Sequence, residues 1–204
     1  FYASMNTELY VGVDPRRENH PIYREQADYY DGLLTMFESE KQVRFICEAA
    51  EDFYFDGYED TFDIIFTSPP YFNIERYGED DNQSWVRYKD IDSWNYQFLQ
   101  KSLDNMLPTL KSGGKLCVNI SDVNAKTKGG AQYLKICDPM NDFLDEYRDM
   151  EYIGCIGMEM AKRPNSGGAG TAKDKTKYSE ESLKLAEETK DKRFCEPIWI
   201  WEKK

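Results

Sequence analysis

The sequence predicts a single α/β domain built around a mostly parallel sheet. Short apolar, strand-like runs alternate with amphipathic helical patterns along most of the 204 residues, as in strand–helix–strand units with parallel strands. The chain is long enough for one well-cored domain and too short for two. Its composition, with 40% apolar and 31% charged residues, is that of a globular protein.

The individual elements follow from local patterns. Six apolar runs are predicted strands, at residues 9–13, 43–47, 62–67, 115–120, 152–160 and 194–201. Four stretches with apolar residues three or four positions apart are predicted helices, at 22–38, 93–110, 139–149 and 179–190. Strand–helix–strand alternation predicts parallel early strands with right-handed crossovers. The last two strands lack a strongly amphipathic helix between them and favour an antiparallel hairpin at the sheet edge. Ser112-Gly113-Gly114 is expected to end the second helix as its C-cap.

Charge and cysteine content narrow the function classes. The chain has 38 acidic and 26 basic residues and a net charge of −12, which argues against a general basic surface for nucleic acid. The five cysteines are scattered without C-x-x-C spacing, which favours reduced thiols in a cytoplasmic protein over disulfides or a metal site. No apolar run approaches the roughly 20 residues that a membrane span requires.

One stretch departs from this acidic average. Residues 162–193 contain nine Lys or Arg and six Asp or Glu, together with a run of small residues at 165–171. The stretch is predicted to be a flexible basic insertion within the single domain that spans residues 1–204. Two interpretations remain open, a solvated loop between two strands or a loop that meets a phosphate backbone.

The most informative segment follows the third predicted strand and reads Thr67-Ser68-Pro69-Pro70-Tyr71. Two consecutive prolines restrict φ and remove two N–H donors, so the chain leaves the sheet rigidly. It does so at the carboxyl end of the strand, where open α/β sheets bind ligands. A serine hydroxyl and a fixed carbonyl can hold a planar amino group by its two hydrogens, and a tyrosine can stack on the attached ring. The alternative is a Pro-Pro turn followed by a core aromatic residue.

This segment resembles the catalytic S-P-P-Y motif of S-adenosylmethionine-dependent amino-group DNA methyltransferases, which modify N4 of cytosine or N6 of adenine. The flanking segments resemble the family's motifs in the same order. Asp14 ends a run similar to the second strand, and Glu48 with Ala49 follows a run similar to the third. Residues 107–116 are similar to the L-K-P-G-G turn into the fifth strand, and Glu196-Pro197-Ile198 looks like the start of the last strand.

The resemblance implies a Rossmann-like class I methyltransferase sheet, S-adenosyl-L-methionine as cofactor, and DNA with a flipped base as partner. It implies no metal. The site residues it implies are catalytic Ser68, Pro69, Pro70 and Tyr71, and cofactor-binding Asp14, Glu48, Ala49 and Thr67. The family's first strand and glycine-rich loop would precede residue 9 and are not in the sequence, so an N-terminally truncated domain is expected.

Recognition of the target has to come from within this domain, because no separate recognition domain is evident. Two segments are expected to supply it, residues 162–193 and residues 71–92. The second segment is rich in aromatic and basic side chains suited to an unstacked base and its phosphates, namely Tyr77, Trp85, Arg87, Tyr88 and Lys89. A packed loop over the sheet is the alternative for this segment.

Three functions remain open from the sequence. The first is methyl transfer to an amino group in DNA, with cytosine slightly favoured over adenine because the motif begins with serine. The second is transfer to RNA or to a protein amide, which Ser68 disfavours because the glutamine-methylating enzymes have Asn before the prolines. The third is a non-catalytic remnant that binds nucleic acid or a partner subunit, which the missing glycine loop and the negative charge favour.

Overall fold

A computed structural model describes residues 7–36, 41–127, 130–159, 184 and 195–204. Its strands are β1 (Leu9–Val13), β2 (Gln42–Ile46), β3 (Phe62–Thr67), β4 (Leu110–Asn119), β5 (Val123–Thr127), β6 (Gly130–Leu134), β7 (Met150–Glu159) and β8 (Cys195–Lys203). Its α-helices are α1 (His20–Met36), α2 (Ser84–Arg87), α3 (Ile91–Ser93), α4 (Lys101–Met106) and α5 (Cys137–Asp145). The helix predicted at 179–190, and all but residue 184 of the basic stretch, lie outside the described residues.

The main sheet is mixed, with strand order β3-β4-β8-β7. Strands β3 and β4 are parallel, whereas β8 runs antiparallel to both β4 and β7. The predicted α/β class and the antiparallel pair of last strands at the sheet edge are therefore confirmed. Strands β1 and β2 form a separate parallel pair, and in the described residues this pair has no hydrogen-bonded neighbour in the main sheet.

A short hairpin of β5 and β6 was not among the predicted strands. The two strands pair antiparallel from Val123–Leu134 to Thr127–Gly130. The polar residues of this stretch lack the alternation of apolar and polar side chains by which a strand is recognised in a sequence. The carboxylate of Asp122, just before the hairpin, accepts the N–H groups of Ile136 and Cys137 at 2.7 and 2.9 Å and so caps α5.

The second predicted helix is a continuous helical stretch that passes through α3, a π-helical segment (Trp94–Gln100), α4 and a final 3₁₀ turn (Leu107–Thr109). The predicted cap at Ser112-Gly113-Gly114 is wrong, because Leu110 is already extended and begins β4. Gly113 has φ +79°, and the register of β3 against β4 shifts between Phe62 and Ile64. The glycines therefore form an irregularity within β4.

The core lies between one face of the main sheet and the helices. It contains Trp94, Leu99 and Leu103 from the helical stretch, Leu116 and Val118 from β4, and Trp199 and Trp201 from β8. Because strand side chains alternate between faces, the opposite face displays Ile64 and Phe66 of β3 and Ile156 of β7. Each of these three side chains is more than half exposed.

Candidate active site

The S-P-P-Y motif lies at the carboxyl end of β3, as the sequence predicts. Thr67 is the last paired residue of the strand, opposite Val118. Ser68 follows and is exposed, whereas Pro69 is buried. The chain then turns sharply, and the N–H of Ile74 donates to the carbonyl of Tyr71 at 2.9 Å.

The residue after the motif adopts an uncommon backbone conformation. Phe72 has φ +42°, a left-handed region that costs a bulky residue about 1–3 kcal/mol and that is typical of functional loops. Burial offsets this cost, since Phe72 is only 5% exposed and its ring meets Trp94 edge-on at 6.3 Å between centroids. The helical stretch therefore supports the loop through the contact between Trp94 and Phe72.

The hydroxyl of Ser68 is oriented by Asn119, the last residue of β4. The Ser68 hydroxyl donates to Oδ1 of Asn119 at 3.4 Å, and Nδ2 of Asn119 donates to the Pro197 carbonyl at 3.2 Å. A backbone carbonyl only accepts hydrogen bonds, so the amide of Asn119 turns its NH₂ group toward Pro197 and its oxygen toward Ser68. The one hydrogen of Ser68 is used in this way, which leaves its lone pairs available to a further donor.

Tyr71 is held at both its backbone and its hydroxyl. Its N–H donates to Oε2 of Glu75 at 3.1 Å, and its hydroxyl donates to Oε1 of Glu196. Burial and, secondly, the bond to Glu196 raise the pKa of Tyr71, so the phenol stays neutral. The side chain is 9% exposed. Only a narrow part of the ring is therefore open to a ligand in this conformation.

The acid that follows β1 is Asp14, whose carboxylate is held by the next residues of the turn and by Tyr23 of α1. It accepts hydrogen bonds from the N–H of Arg16 at 2.8 Å, from Asn19 at 3.1 Å and from the Tyr23 hydroxyl at 2.6 Å. Burial by itself raises the pKa of Asp14, but these hydrogen bonds outweigh it and lower the pKa. Asp14 is therefore an ionised acceptor at the end of a parallel strand.

The turn after β2 contains Glu48 and Ala49, two more of the residues implied to bind cofactor. Glu48 is exposed, whereas Ala49 is 5% exposed. The carbonyl of Ala49 accepts the N–H groups of Asp52 and Phe53, both at 3.0 Å. These bonds close the turn directly after Glu48.

The same turn ends in an ionic cluster that the sequence analysis missed. Glu51 is only 1% exposed, and it accepts from Arg87 at 2.7 Å and from the Tyr88 hydroxyl at 3.2 Å. Burial raises the pKa of Glu51, whereas the hydrogen bond from Arg87 lowers the pKa of Asp52. The consecutive acids Glu51 and Asp52 after a strand were the available signal, but their partner lies more than thirty residues away.

The turns after β1 and β2 both contact the segment that follows the S-P-P-Y motif. The amide of Asn82 donates to the Pro15 carbonyl at 2.6 Å, and Arg87 bridges Glu51 and Asp52. The turns at the carboxyl ends of β1 and β2 therefore both contact the segment that follows the S-P-P-Y motif. In the part of the chain that the structure describes, Asp14 and Glu48 make no hydrogen bond to Ser68 or Tyr71.

The segment expected to recognise the target is divided between two environments. Arg87 and Tyr88 are occupied by the ionic cluster, with Tyr88 only 7% exposed. Trp85, by contrast, has two cationic neighbours, with the Arg76 guanidinium 4.8 Å and the Lys89 amine 5.5 Å from its ring centroid. Tyr77 is 51% exposed. The exposed aromatic and basic side chains of this segment are therefore Tyr77, Arg76 and Lys89, while Trp85 is partly buried.

The described residues contain neither a cluster of metal ligands nor a helix that could cross a membrane. In those ranges, no three His, Cys, Asp or Glu side chains come together as a metal site would require. None of the helices in the same ranges has both the length and the apolar character to cross a bilayer.

These features define an α/β domain with a rigid proline turn at the carboxyl end of a parallel strand. A family model described as DNA methylase, of the N6/N4 methyltransferase type, matches residues 62–204. The chain therefore belongs to this DNA methylase family, and the family predicted from the sequence is confirmed.

Solved structures give similar but distant matches. One is a protein from Thermus thermophilus assigned as a DNA modification methylase, in complex with S-adenosyl-L-methionine, with 16% identity, a TM-score of 0.46, and coverage of 76% of this chain and 53% of that one. Another is a protein from Listeria monocytogenes assigned as an S-adenosylmethionine-dependent methyltransferase, with 9% identity, a TM-score of 0.48, and coverage of 100% and 84%. The chain spans about half the length of the first. The comparison with curated proteins gave no significant match.

Proposed function

We propose that the protein transfers a methyl group from S-adenosyl-L-methionine to the exocyclic amino group of cytosine or adenine in DNA, with the cofactor sulfur leaving as a neutral thioether and the amino nitrogen losing one proton. The observation that carries this proposal is the Ser68 hydroxyl, exposed at the end of β3 and oriented by Asn119 so that its lone pairs can accept. Membership of the DNA methylase family supports the same reaction.

The chemical role of the loop is to hold an amino group and expose its lone pair. An exocyclic nitrogen of a base is conjugated with the ring and is a poor nucleophile. Ser68 Oγ and the Pro69 carbonyl each accept one hydrogen of this NH₂ group, which favours a pyramidal nitrogen in a fixed orientation. The accessible part of the Tyr71 ring lies beside the extruded base, and Phe72, which is buried against Trp94, supports the loop behind the motif. No cysteine nucleophile is needed for this reaction.

The acids at the ends of β1 and β2 fit the cofactor's hydroxyl and amino donors. Asp14 is ionised, and a carboxylate has about four acceptor positions. Arg16, Asn19 and Tyr23 donate to three of them. Glu48 is exposed beside the buried Ala49, so its carboxylate is accessible to an amino group. When bound, S-adenosyl-L-methionine supplies a methyl group activated by its sulfonium charge.

The preferred base is the finer part of the proposal. A serine at the first position of the motif favours cytosine N4, whereas an aspartate is typical of adenine N6. A hydroxyl that accepts one amino hydrogen suits either base, so Ser68 favours cytosine only slightly.

The test is a methylation assay with full-length protein, cofactor labelled in its methyl group, and unmethylated DNA, RNA and protein as separate substrates. Digestion of labelled DNA to nucleosides, followed by mass spectrometry, distinguishes N4-methylcytosine from N6-methyladenine. Label that enters only RNA or protein contradicts the proposal. DNA binding without any transfer identifies the protein as a non-catalytic member of its family.

A further inference from the structure

The side chain of Tyr71 is held from a strand that lies 125 residues further along the chain. Its hydroxyl donates to Oε1 of Glu196, the second residue of β8, and the Ser121 hydroxyl also bonds to it. Together with the bond from the Tyr71 N–H to Glu75, these contacts fix both ends of the motif's last residue.

The topology of the sheet explains how Glu196 reaches the loop. Because β3 and β4 are parallel, their carboxyl ends lie at the same end of the sheet. Strand β8 is antiparallel to β4, so the first residues of β8 lie at this same end of the sheet, with Ile198 opposite Asn119. The N–H of Ile120 donates to the Pro197 carbonyl at 3.3 Å and anchors this end of β8.

The chemistry of the pair gives the contact one direction. An ionised carboxylate only accepts hydrogen bonds, and a phenol has a single hydrogen to donate. A hydrogen bond to a charged acceptor is also about twice as strong as one between neutral groups. Burial, then the hydrogen bond to Glu196, raises the pKa of Tyr71, so the phenol remains the donor.

We propose that Glu196 is a positioning residue of the active site, which acts through Tyr71 to hold the S-P-P-Y loop in one conformation before the target base arrives. This inference rests on the proposed function and deepens it. Ordering the loop in advance removes a loss of conformational freedom from the reaction step. Glu196 needs no contact with substrate to have this effect.

The experiment is a comparison of kcat and KM for full-length wild type, Glu196→Ala, Glu196→Gln, Tyr71→Phe and the double variant Glu196→Ala with Tyr71→Phe. We expect Glu196→Ala to lower kcat by a factor on the order of 10 to 100, with KM for the cofactor changed by less than about twofold. Glu196→Gln should retain most of the activity, because an amide oxygen still accepts the phenol hydrogen. In the Tyr71→Phe protein, Glu196→Ala should have no further effect, because the pair acts as a unit.

The matched control is Glu202→Ala, which removes a carboxylate from the other end of the same strand, where it pairs with Lys115. This control should keep wild-type kcat. A wild-type kcat for Glu196→Ala, additive losses in the double variant, or an equal loss in Glu202→Ala would each overturn the inference.

A second measurement does not depend on methyl transfer. In protein labelled at the ζ-carbon of tyrosine, the NMR signal of Tyr71 is assigned by its disappearance in Tyr71→Phe. We expect this signal to shift in Glu196→Gln and to stay in place in Glu202→Gln. An unmoved signal in Glu196→Gln overturns the positioning role whether or not the protein is active. A shifted signal in a protein that transfers no methyl group to DNA supports the contact and contradicts only the proposed function.

Discussion

Replacing Arg87 by alanine tests the ionic cluster that joins the turn after β2 to the segment after the S-P-P-Y motif. Arg87 bonds the Glu51 carboxylate, whose side chain is 1% exposed, and the Asp52 carboxylate, whose side chain is 40% exposed. Removing one partner of a buried ion pair costs about 3–5 kcal/mol of unfolding free energy. Arg87 is itself 27% exposed, so we expect the loss of its bond to Glu51 to cost about 2–3 kcal/mol of unfolding free energy. The loss of its bond to the more exposed Asp52 should cost at most about 1 kcal/mol.

The expected loss of about 3 kcal/mol is measurable by urea unfolding. With an m-value of about 2 kcal/mol/M, it corresponds to a midpoint lower by about 1.5 M. In a Glu51→Gln background the cost should fall to about 1 kcal/mol, because a neutral amide tolerates burial better than a carboxylate. Lys101→Ala is the matched control, since its exposed amine lies 3.4 Å from Asp52 and should contribute less than about 0.5 kcal/mol.

The pH dependence of this cost has a defined sign. Burial raises the folded-state pKa of Glu51, so ionisation of this group opposes folding as the pH rises through that pKa. Arg87 favours the ionised form, and its removal raises the pKa further. The hydrogen bond from Arg87 lowers the pKa of Asp52, and that contribution to stability is lost as the pH falls through its folded pKa. Arg87→Ala should therefore cost more at pH 8 than at pH 5.

Two results would refute the reasoning about this cluster. The first is a cost below about 0.5 kcal/mol at pH 8, which would mean that solvent replaces the Arg87 contacts. The second is an equal cost in the wild-type and Glu51→Gln backgrounds, which would assign the effect to packing rather than to charge.

Three further predictions concern the sheet, a helix cap and the loop. Gly114→Ala should lower the melting temperature, because the added Cβ would lie 2.8 Å from the Lys111 carbonyl oxygen. Gly32→Ala has no atom within 4 Å of the added Cβ and should raise the melting temperature, because alanine stabilises a helix by about 1 kcal/mol relative to glycine. Equal shifts of the two melting temperatures would contradict this reasoning. Asp122→Ala removes the acceptor of two N–H groups at the start of α5 and should cost about 2 kcal/mol in urea unfolding; no loss would mean that water caps the helix. Ser68→Ala should lower kcat for methyl transfer on the order of 100-fold while leaving cofactor affinity unchanged in a calorimetric titration; a parallel loss of affinity would assign Ser68 to the cofactor.

Local patterns were sufficient to predict the strand that carries the motif. The run Phe62–Thr67 has the predicted bounds, because apolar residues and two prolines determine its start and end without help from the rest of the chain. Strand β4 begins five residues earlier than predicted, at Leu110. Its first residues resemble a helix end in sequence, whereas in the structure Leu110 is extended and pairs with Phe62.

The contacts that organise the candidate site could not be predicted in the same way. Glu51 finds its partner Arg87 at a separation of 36 residues, and Tyr71 finds Glu196 at 125. The acids Glu51 and Asp52 stand out in the sequence, but nothing local identifies the partner in either pair, because each partner depends on which strand ends the fold brings together. The sequence therefore identified Ser68 and Tyr71 as candidates, while the roles of Asn119 and Glu196 required the sheet order.

The position of β8 between β4 and β7 has a consequence for biosynthesis. A ribosome makes β8 after both of its neighbours, so the middle of the main sheet is translated after the strands on either side of it. Until then, β4 and β7 cannot be joined as they are in the finished sheet, and Tyr71 and Asn119 lack Glu196 and Pro197 as partners. A nascent chain thus cannot complete the candidate active site before β8 has been added.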